Sequence, residues 1–199
     1  AQARTADARA YLEAARAYLA PPPPSLVAIG GLSATGKSNL ARDLAPSIGA
    51  APGAFIARSD AIRKRLAGAD PHHKLGPQAY TPEMSDRVYA RLVDDAKTAL
   101  RAGHSVIADA VFARPEERAA MARAAGAQGV PFDGIWLDAG LDIRQTRVAA
   151  RTRNVSDATP EVLQAQMDYD PGAMDWHRLD ASVSKKETRH RARKLLGLP

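Results

Sequence analysis

The chain has 199 residues, 25% of them charged and 45% apolar, with a formal net charge of +6; such a chain can bury a substantial core and is ordinary for one globular domain. It has no cysteine, which excludes disulfides and thiolate metal sites, and no apolar run long enough to span a bilayer. The N-terminal stretch lacks the apolar core of a secretory signal, and with the absence of cysteine this gives a cytoplasmic protein as the expectation. The positive charge is concentrated at one end: Lys185, Lys186, Arg189, Arg191, Arg193 and Lys194 against Glu187 within 183–199. The rest of the chain is therefore close to neutral. A basic last helix reads first as a solvated face complementing its own C-terminal dipole, with an anion or nucleic-acid surface as the lesser alternative.

In chain order, residues 5–20 carry Tyr11, Leu12, Ala15, Tyr18 and Leu19 at helical spacing. Pro21 to Pro24 end that helix and form a stiff spacer, so 1–24 read as an appendage to a domain over 25–199. Beyond it strands and helices alternate. Strands are expected at 25–30, 55–59, 105–110 and 134–138, with an edge strand at 178–181. Helices are expected at 37–47, from 61, at 82–102 with Thr81 as cap and Pro82 at the first position, and at 115–125, 141–151, 160–168 and 184–196. This alternation implies an α/β fold, a parallel sheet of about five strands with helices on both faces. Ligands of such sheets bind beyond the C-terminal ends of the strands.

The segment after the first strand, Gly31-Leu32-Ser33-Ala34-Thr35-Gly36-Lys37-Ser38, satisfies G-x-x-x-x-G-K-[ST] in full. Its glycines allow the backbone to wrap a β-phosphate, and the amides opening the next helix point at the anion. Lys37 supplies a mobile charge for the outer phosphates, and the Ser38 hydroxyl is the expected magnesium ligand. Asp60 follows the second strand, with Arg63 one helical turn on. Such a carboxylate can take a proton from a substrate hydroxyl and such an arginine can hold an anionic group, although a capping Asp with an exposed ion pair has the same spacing. The third strand ends in Asp109, the arrangement of a Walker B carboxylate that holds magnesium through water. Arg144, Arg147 and Arg151 share one helical face, with Ile143, Thr146 and Ala150 as the adjoining stripe suited to face the protein. Arg153 follows, then a loop up to Thr159-Pro160. Guanidiniums on such a lid, about 151–160, would stabilise charge on a phosphoryl group in transfer and exclude water. His72-His73 has no partner at metal spacing and reads as solvated. Trp176, Tyr80 and Tyr89 read as packing residues, Tyr80 with a lesser prospect of lining a pocket.

These motifs together resemble the P-loop kinase group, which includes small AAA-type ATP-binding proteins, zeta-toxin-like and gluconate kinases and the kinase domain of phage polynucleotide kinase. The similarity is greatest to the ATP-binding half of aminoglycoside phosphotransferase/ATP-binding fusions, where a helix and a Pro-rich linker precede the P-loop much as residues 6–24 do here. The resemblance implies a three-layer P-loop kinase fold with a small Arg-rich lid, ATP with Mg2+, and an upstream phosphotransferase-like domain as a partner. It implies Asp60 as general base and Arg63 as substrate clamp. It places Arg147 over adenine, and Arg151 and Arg153 on the phosphates, with Arg151 catalytic beside Lys37. Gly31, Ser33, Ala34, Thr35, Gly36, Lys37, Ser38 and Asn39 would cradle the nucleotide, and Ser38 and Asp109 would hold the metal. Relatives have glycine where this chain has Ala34 and threonine where it has Asn39. Alanine at a positive φ is strained, whereas the Asn39 amide can still donate to the α-phosphate. The expected activity is phosphoryl transfer from ATP to a hydroxyl of a small molecule. A polynucleotide 5′-hydroxyl kinase, or a nucleotide-binding regulatory module with weak ATPase activity, is the alternative. No Asn-Lys-x-Asp guanine motif occurs, which argues against a GTPase.

Overall fold

The computed structural model describes residues 2–71, 73–150, 160–166 and 169–198. Five strands, β1 (Leu26–Gly30), β2 (Phe55–Arg58), β3 (Val106–Asp109), β4 (Phe132–Asp138) and β5 (His177–Asp180), form one sheet in the order β2-β3-β1-β4-β5. Every pairing is parallel. The helices are α1 (Gln2–Leu19), α2 (Lys37–Leu44), α3 (Ser59–Leu66), α4 (Pro82–Arg101), α5 (Pro115–Ala127), α6 (Leu141–Ala149), α7 (Pro160–Ala165) and α8 (Lys185–Leu195). Among the described residues no helix is long and apolar enough to cross a membrane.

The central strands are apolar on both faces, as a covered parallel sheet requires. Successive side chains go to opposite layers. Leu26, Ala28, Val106, Ala108 and Trp136 pack with Val88, Leu92 and Ala96 of α4 and Met121 and Ala125 of α5. Val27, Ile29, Ile107, Ile135 and Leu137 pack with Leu40 and Leu44 of α2 and Ala192 of α8. The Thr81 side chain caps α4 by accepting from the Met84 amide at 3.2 Å, with Pro82 opening the helix.

Several boundaries differ from the sequence reading. The helix expected over 37–47 stops at Leu44 and tightens into a 3-10 turn over Ala45–Ser47, because Pro46 cannot donate to the ladder. α3 begins at Ser59, so Asp60 sits in its first turn and not ahead of it. β4 starts at Phe132, two residues earlier than expected, since it pairs with β1 from Leu26↔Phe132 onwards. The basic face of α8 is exposed at Lys185, Lys186 and Arg189, while Arg193 donates to the Ser47 hydroxyl at 3.0 Å. α1 leaves Tyr11, Leu12, Tyr18 and Leu19 exposed.

Trp176 lies flat over a gap in β4. Gly134 supplies that gap: a Cβ there would stand 2.3 Å from Trp176 Cγ. The indole meets Phe112 and Phe132 edge-on, with centroids 5.1 and 6.0 Å away. Gly134→Ala is expected to lower unfolding free energy by about 1–3 kcal/mol through overpacking, and to cost far less in a Trp176→Ala background. Urea unfolding of the two single variants and the double variant measures this; additive losses would show that the indole does not demand the glycine.

Candidate active site

The P-loop runs from the end of β1 to the start of α2. Gly31 takes φ 134° and a Cβ there would lie 2.5 Å from the Leu137 carbonyl oxygen, so only glycine can turn the chain against β4. Its amide donates to the Val111 carbonyl at 3.0 Å, which ties the loop to the segment after β3. The Thr35 hydroxyl and the Lys37 ammonium both donate to the Leu32 carbonyl, each at 2.9 Å. Gly36 precedes α2 at φ 106°. Ala34 adopts φ 67°, the left-handed region, so the strain expected of an alanine there is present. Asn39 borders the cleft and accepts from Arg42 through its side-chain oxygen.

The register of the sheet places three side chains at one level. Ile29 pairs with Asp109, and Arg58 pairs with Asp109 from the other side. Asp109 is 3% exposed. Burial pushes its carboxyl above the usual range, while Lys37, Ser38 and Arg58 favour the ionised form. Arg58 bridges two carboxylates: its Nε lies 3.5 Å from Asp109 Oδ2 and its Nη2 3.4 Å from Asp60 Oδ2. Asp109 Oδ2 is buried without a hydrogen-bond partner. A buried oxygen of this kind beside a serine hydroxyl, at the foot of a phosphate cradle, has the donor set a magnesium ion takes. Ser38 and Asp109 therefore fit the metal.

The cleft of about 670 Å³ brings together Ser33, Ala34, Gly36, Lys37, Ser38, Asn39, Asp60, Arg63 and Asp109, the greater part of the expected site. Arg63 is buried, donating to the Ala79 carbonyl at 2.8 Å and approaching Ser85 Oγ at 3.4 Å, with its guanidinium 4.7 Å from the centre of the Tyr80 ring. Tyr89 packs edge-on against Phe112, as a packing residue would, but it also lines the cleft, and its hydroxyl accepts from the Phe112 amide at 2.9 Å. Burial and the adjacent Glu117 raise the Tyr89 phenol well above its ordinary value, so it remains protonated.

The arginine stripe on α6 is turned differently from expectation. Arg144 is buried and Arg147 half-buried, whereas Thr146 and Ala150, read as the inward stripe, are exposed. For Arg147 the cause is the demand for donors on the inner side, whereas the buried Arg144 leaves its Nε and Nη1 without a hydrogen-bond partner. Arg147 donates to the carbonyls of Thr35 at 3.1 Å and Ala181 at 2.6 Å and approaches that of Ala34 at 3.5 Å. The Thr146 hydroxyl is satisfied within its own helix by the Asp142 carbonyl. Arg151, Arg153 and the lid over 151–159 lie outside the described residues, as does His72. Among the described residues no cluster of His, Asp or Glu could hold a metal by itself.

Three contributors were missed by sequence reasoning. Arg58 resembles an ordinary residue at a strand end. Gln166 follows α7, and its Oε1 accepts from the Ser33 amide at 2.7 Å, which clips α7 to the P-loop. Arg118 is buried and donates to the carbonyls of Phe112 (2.9 Å), Ala113 (3.0 Å), Pro171 (2.7 Å) and Ala173 (2.8 Å). It fixes the left-handed Phe112, φ 55°, and the segment returning from α7.

A phosphate loop after the central strand of a five-stranded parallel sheet, with an acidic third strand beside it, defines a P-loop kinase fold. The AAA-domain family model matches residues 26–171, and the chain belongs to that family. It is 32% identical over 192 residues to an uncharacterized protein of Mycobacterium tuberculosis (strain ATCC 25618 / H37Rv), an alignment covering 92% of this chain and 37% of that protein. The same figures hold for an uncharacterized protein of Mycobacterium bovis, so the chain spans little more than a third of the curated relatives it matches. Among solved structures it is similar to a sugar kinase from Janibacter sp. HTCC2649 (TM-score 0.63, 20% identity, 88% of this chain and 96% of that one). It is similar also to the Mycobacterium tuberculosis APS kinase in complex with AMPPNP and APS (0.61, 22%, 88% and 99%). A gluconokinase from Sinorhizobium meliloti 1021 gives 0.54, 19%, 88% and 96%. At these identities the likeness establishes the fold.

Ala34→Gly tests the strained position. Removing a left-handed alanine relieves about 1–2 kcal/mol, partly offset by the greater freedom of glycine in the unfolded chain. The variant is expected to melt higher by the equivalent of about 0.5–1 kcal/mol; a lower melting temperature would show that the loop does not hold this conformation at a cost.

Proposed function

We propose that the chain is a phosphotransferase that moves the γ-phosphoryl group of ATP to a hydroxyl of a small-molecule acceptor. The observation that carries this reading is the placement of Asp60 in the same cleft as the P-loop, Ser38 and Asp109. A nucleotide-binding module has no need of a second carboxylate there. Solved neighbours named as sugar, APS and gluconate kinases support it.

In this reading the amides of the P-loop and the first turn of α2 hold the phosphates, and Lys37 follows the charge outward. Asn39 would reach the α-phosphate and Arg147 would border the base, since it spans the P-loop and the Ala181 carbonyl. Magnesium on Ser38 and Asp109 would neutralise charge on the phosphate oxygens. Arg58 lies between Asp60 and the metal carboxylate, 3.4 Å from the one and 3.5 Å from the other. The acceptor hydroxyl gives its proton to Asp60 as its oxygen bonds the γ-phosphorus, and the bond to the departing ADP breaks. Arg151 and Arg153 would supply charge to the group in transfer, which needs no covalent help from the protein, only position and electrostatics.

Asp60→Asn should retain ADP binding, measured by calorimetry, and lose about 100-fold or more in acceptor-dependent ADP release; unchanged turnover would remove Asp60 as the base. Asp109→Asn should abolish the gain in nucleotide affinity that magnesium confers on the wild type, while magnesium-free binding persists. Equal magnesium dependence in variant and wild type would move the metal elsewhere.

A further inference from the structure

We infer that the acceptor end of the cleft takes an uncharged, polyhydroxylated molecule and discriminates against anionic ones, because the guanidiniums of its wall are already committed to partners within the protein. This deepens the phosphotransfer reading and rests on it. We take as its wall the cleft-lining residues Arg63, Tyr80, Ser85, Tyr89, Arg114 and Glu117, from α3, the turn before α4, α4 itself and the start of α5.

The two arginines give this end a cationic look in the sequence, and a wall of free arginines would select phosphate, sulfate or carboxylate. Neither is free. Arg63 is 8% exposed, one face covered by the Tyr80 ring and its Nη1 engaged with the Ala79 carbonyl and Ser85. Arg114 is the N-cap of α5, and its Nε donates to Glu117 Oε1 at 2.8 Å. Its Nη2 donates to Asp86 Oδ1 at 2.7 Å. Both acidic partners hold the guanidinium firmly in its charged form. Glu117 is itself buried and anchored a second time, accepting from the Arg114 amide at 3.2 Å.

Charge balance leads the same way. Among the cations bordering this end, Arg114 is matched by Asp86 and Glu117, and Arg58 by Asp60 and Asp109. An anionic acceptor at Arg114 would have to compete with two carboxylates already bonded to it, and those acidic groups would repel it. A neutral polyol meets no such penalty. The exposed edge of Tyr80 offers an apolar face to its C–H groups, and the Ser85 hydroxyl and the Asp60 carboxylate give its O–H groups partners. A hydroxyl bonded to Asp60 is also the one that would be phosphorylated.

The test is acceptor-stimulated ADP release from magnesium-ATP with three pools at equal concentration. One holds neutral sugars, polyols and nucleosides. Another holds sugar acids, sugar phosphates and oligonucleotides with free 5′-hydroxyls, and the last holds amino sugars. The neutral pool is expected to stimulate at least tenfold more than either charged pool. Greater stimulation by a charged pool overturns this inference and leaves the kinase reading standing; no stimulation by any pool removes both. Asp86 is exposed and outside the cleft lining, so Asp86→Asn releases one arm of Arg114 without touching the phosphate site. It should raise kcat/KM for sugar acids relative to neutral sugars about tenfold, and adding Arg114→Gln should cancel that gain. An unchanged ratio in Asp86→Asn overturns the inference.

Discussion

The pairing of β3 between β1 and β2 is the constraint on which the site depends. Asp109 stands opposite Ile29 on one side and Arg58 on the other. A carboxylate at the buried end of a central strand costs several kcal/mol unless charge compensates it. Here the compensation comes from three places at once: the P-loop lysine and serine following β1, and the arginine ending β2. A slip of one residue in either pairing would send Asp109 to the opposite face and strand it in the apolar layer beneath. The register that builds the hydrophobic layers thus also assembles the polar cluster above them.

Arg58 is shared between that cluster and Asp60, so the metal-side carboxylate and the expected base are not electrostatically independent. Each carboxylate receives only part of a guanidinium, at 3.4 and 3.5 Å and not at close hydrogen-bonding distance. Such an arrangement holds two acidic groups near one another without neutralising either. It suits a site in which one carboxylate serves a cation and the other a proton.

What could be read in the sequence was whatever is local. The P-loop is a contiguous pattern, Asp109 ends an apolar run, and Asp60 with Arg63 lies within one turn of helix. Alternating strand and helix signals were enough for the three-layer architecture and the five strands. Boundaries failed where proline ended a helix sooner than the apolar pattern did, as at Pro46, or where a partner strand extended pairing, as at Phe132. Gln166 and Arg118 were missed because their meaning depends on amides and carbonyls far along the chain, and Arg58 because the pairing of β2 with β3 brings it beside Asp109. Gln166 meets Ser33 across 133 residues, and Arg118 meets Ala173 across 55. The α6 stripe failed for a related reason. Periodicity tells which arginines share a face; it does not tell that unsatisfied carbonyls at Thr35 and Ala181 would draw that face inward.

Arg118 has a consequence for how the molecule opens. One planar guanidinium with its donors shared among four carbonyls joins α5, the turn after β3 and the chain returning from α7. A lysine could not span the same set with its single nitrogen. Loss of any one of these segments leaves a buried cation with orphaned donors, so they have strong reason to detach together. They share one hydrogen-bonded junction, and α7, clipped to the P-loop through Gln166, lies at its boundary. The stability of the phosphate loop is in this way linked to a hydrogen-bonded junction on the other side of Phe112.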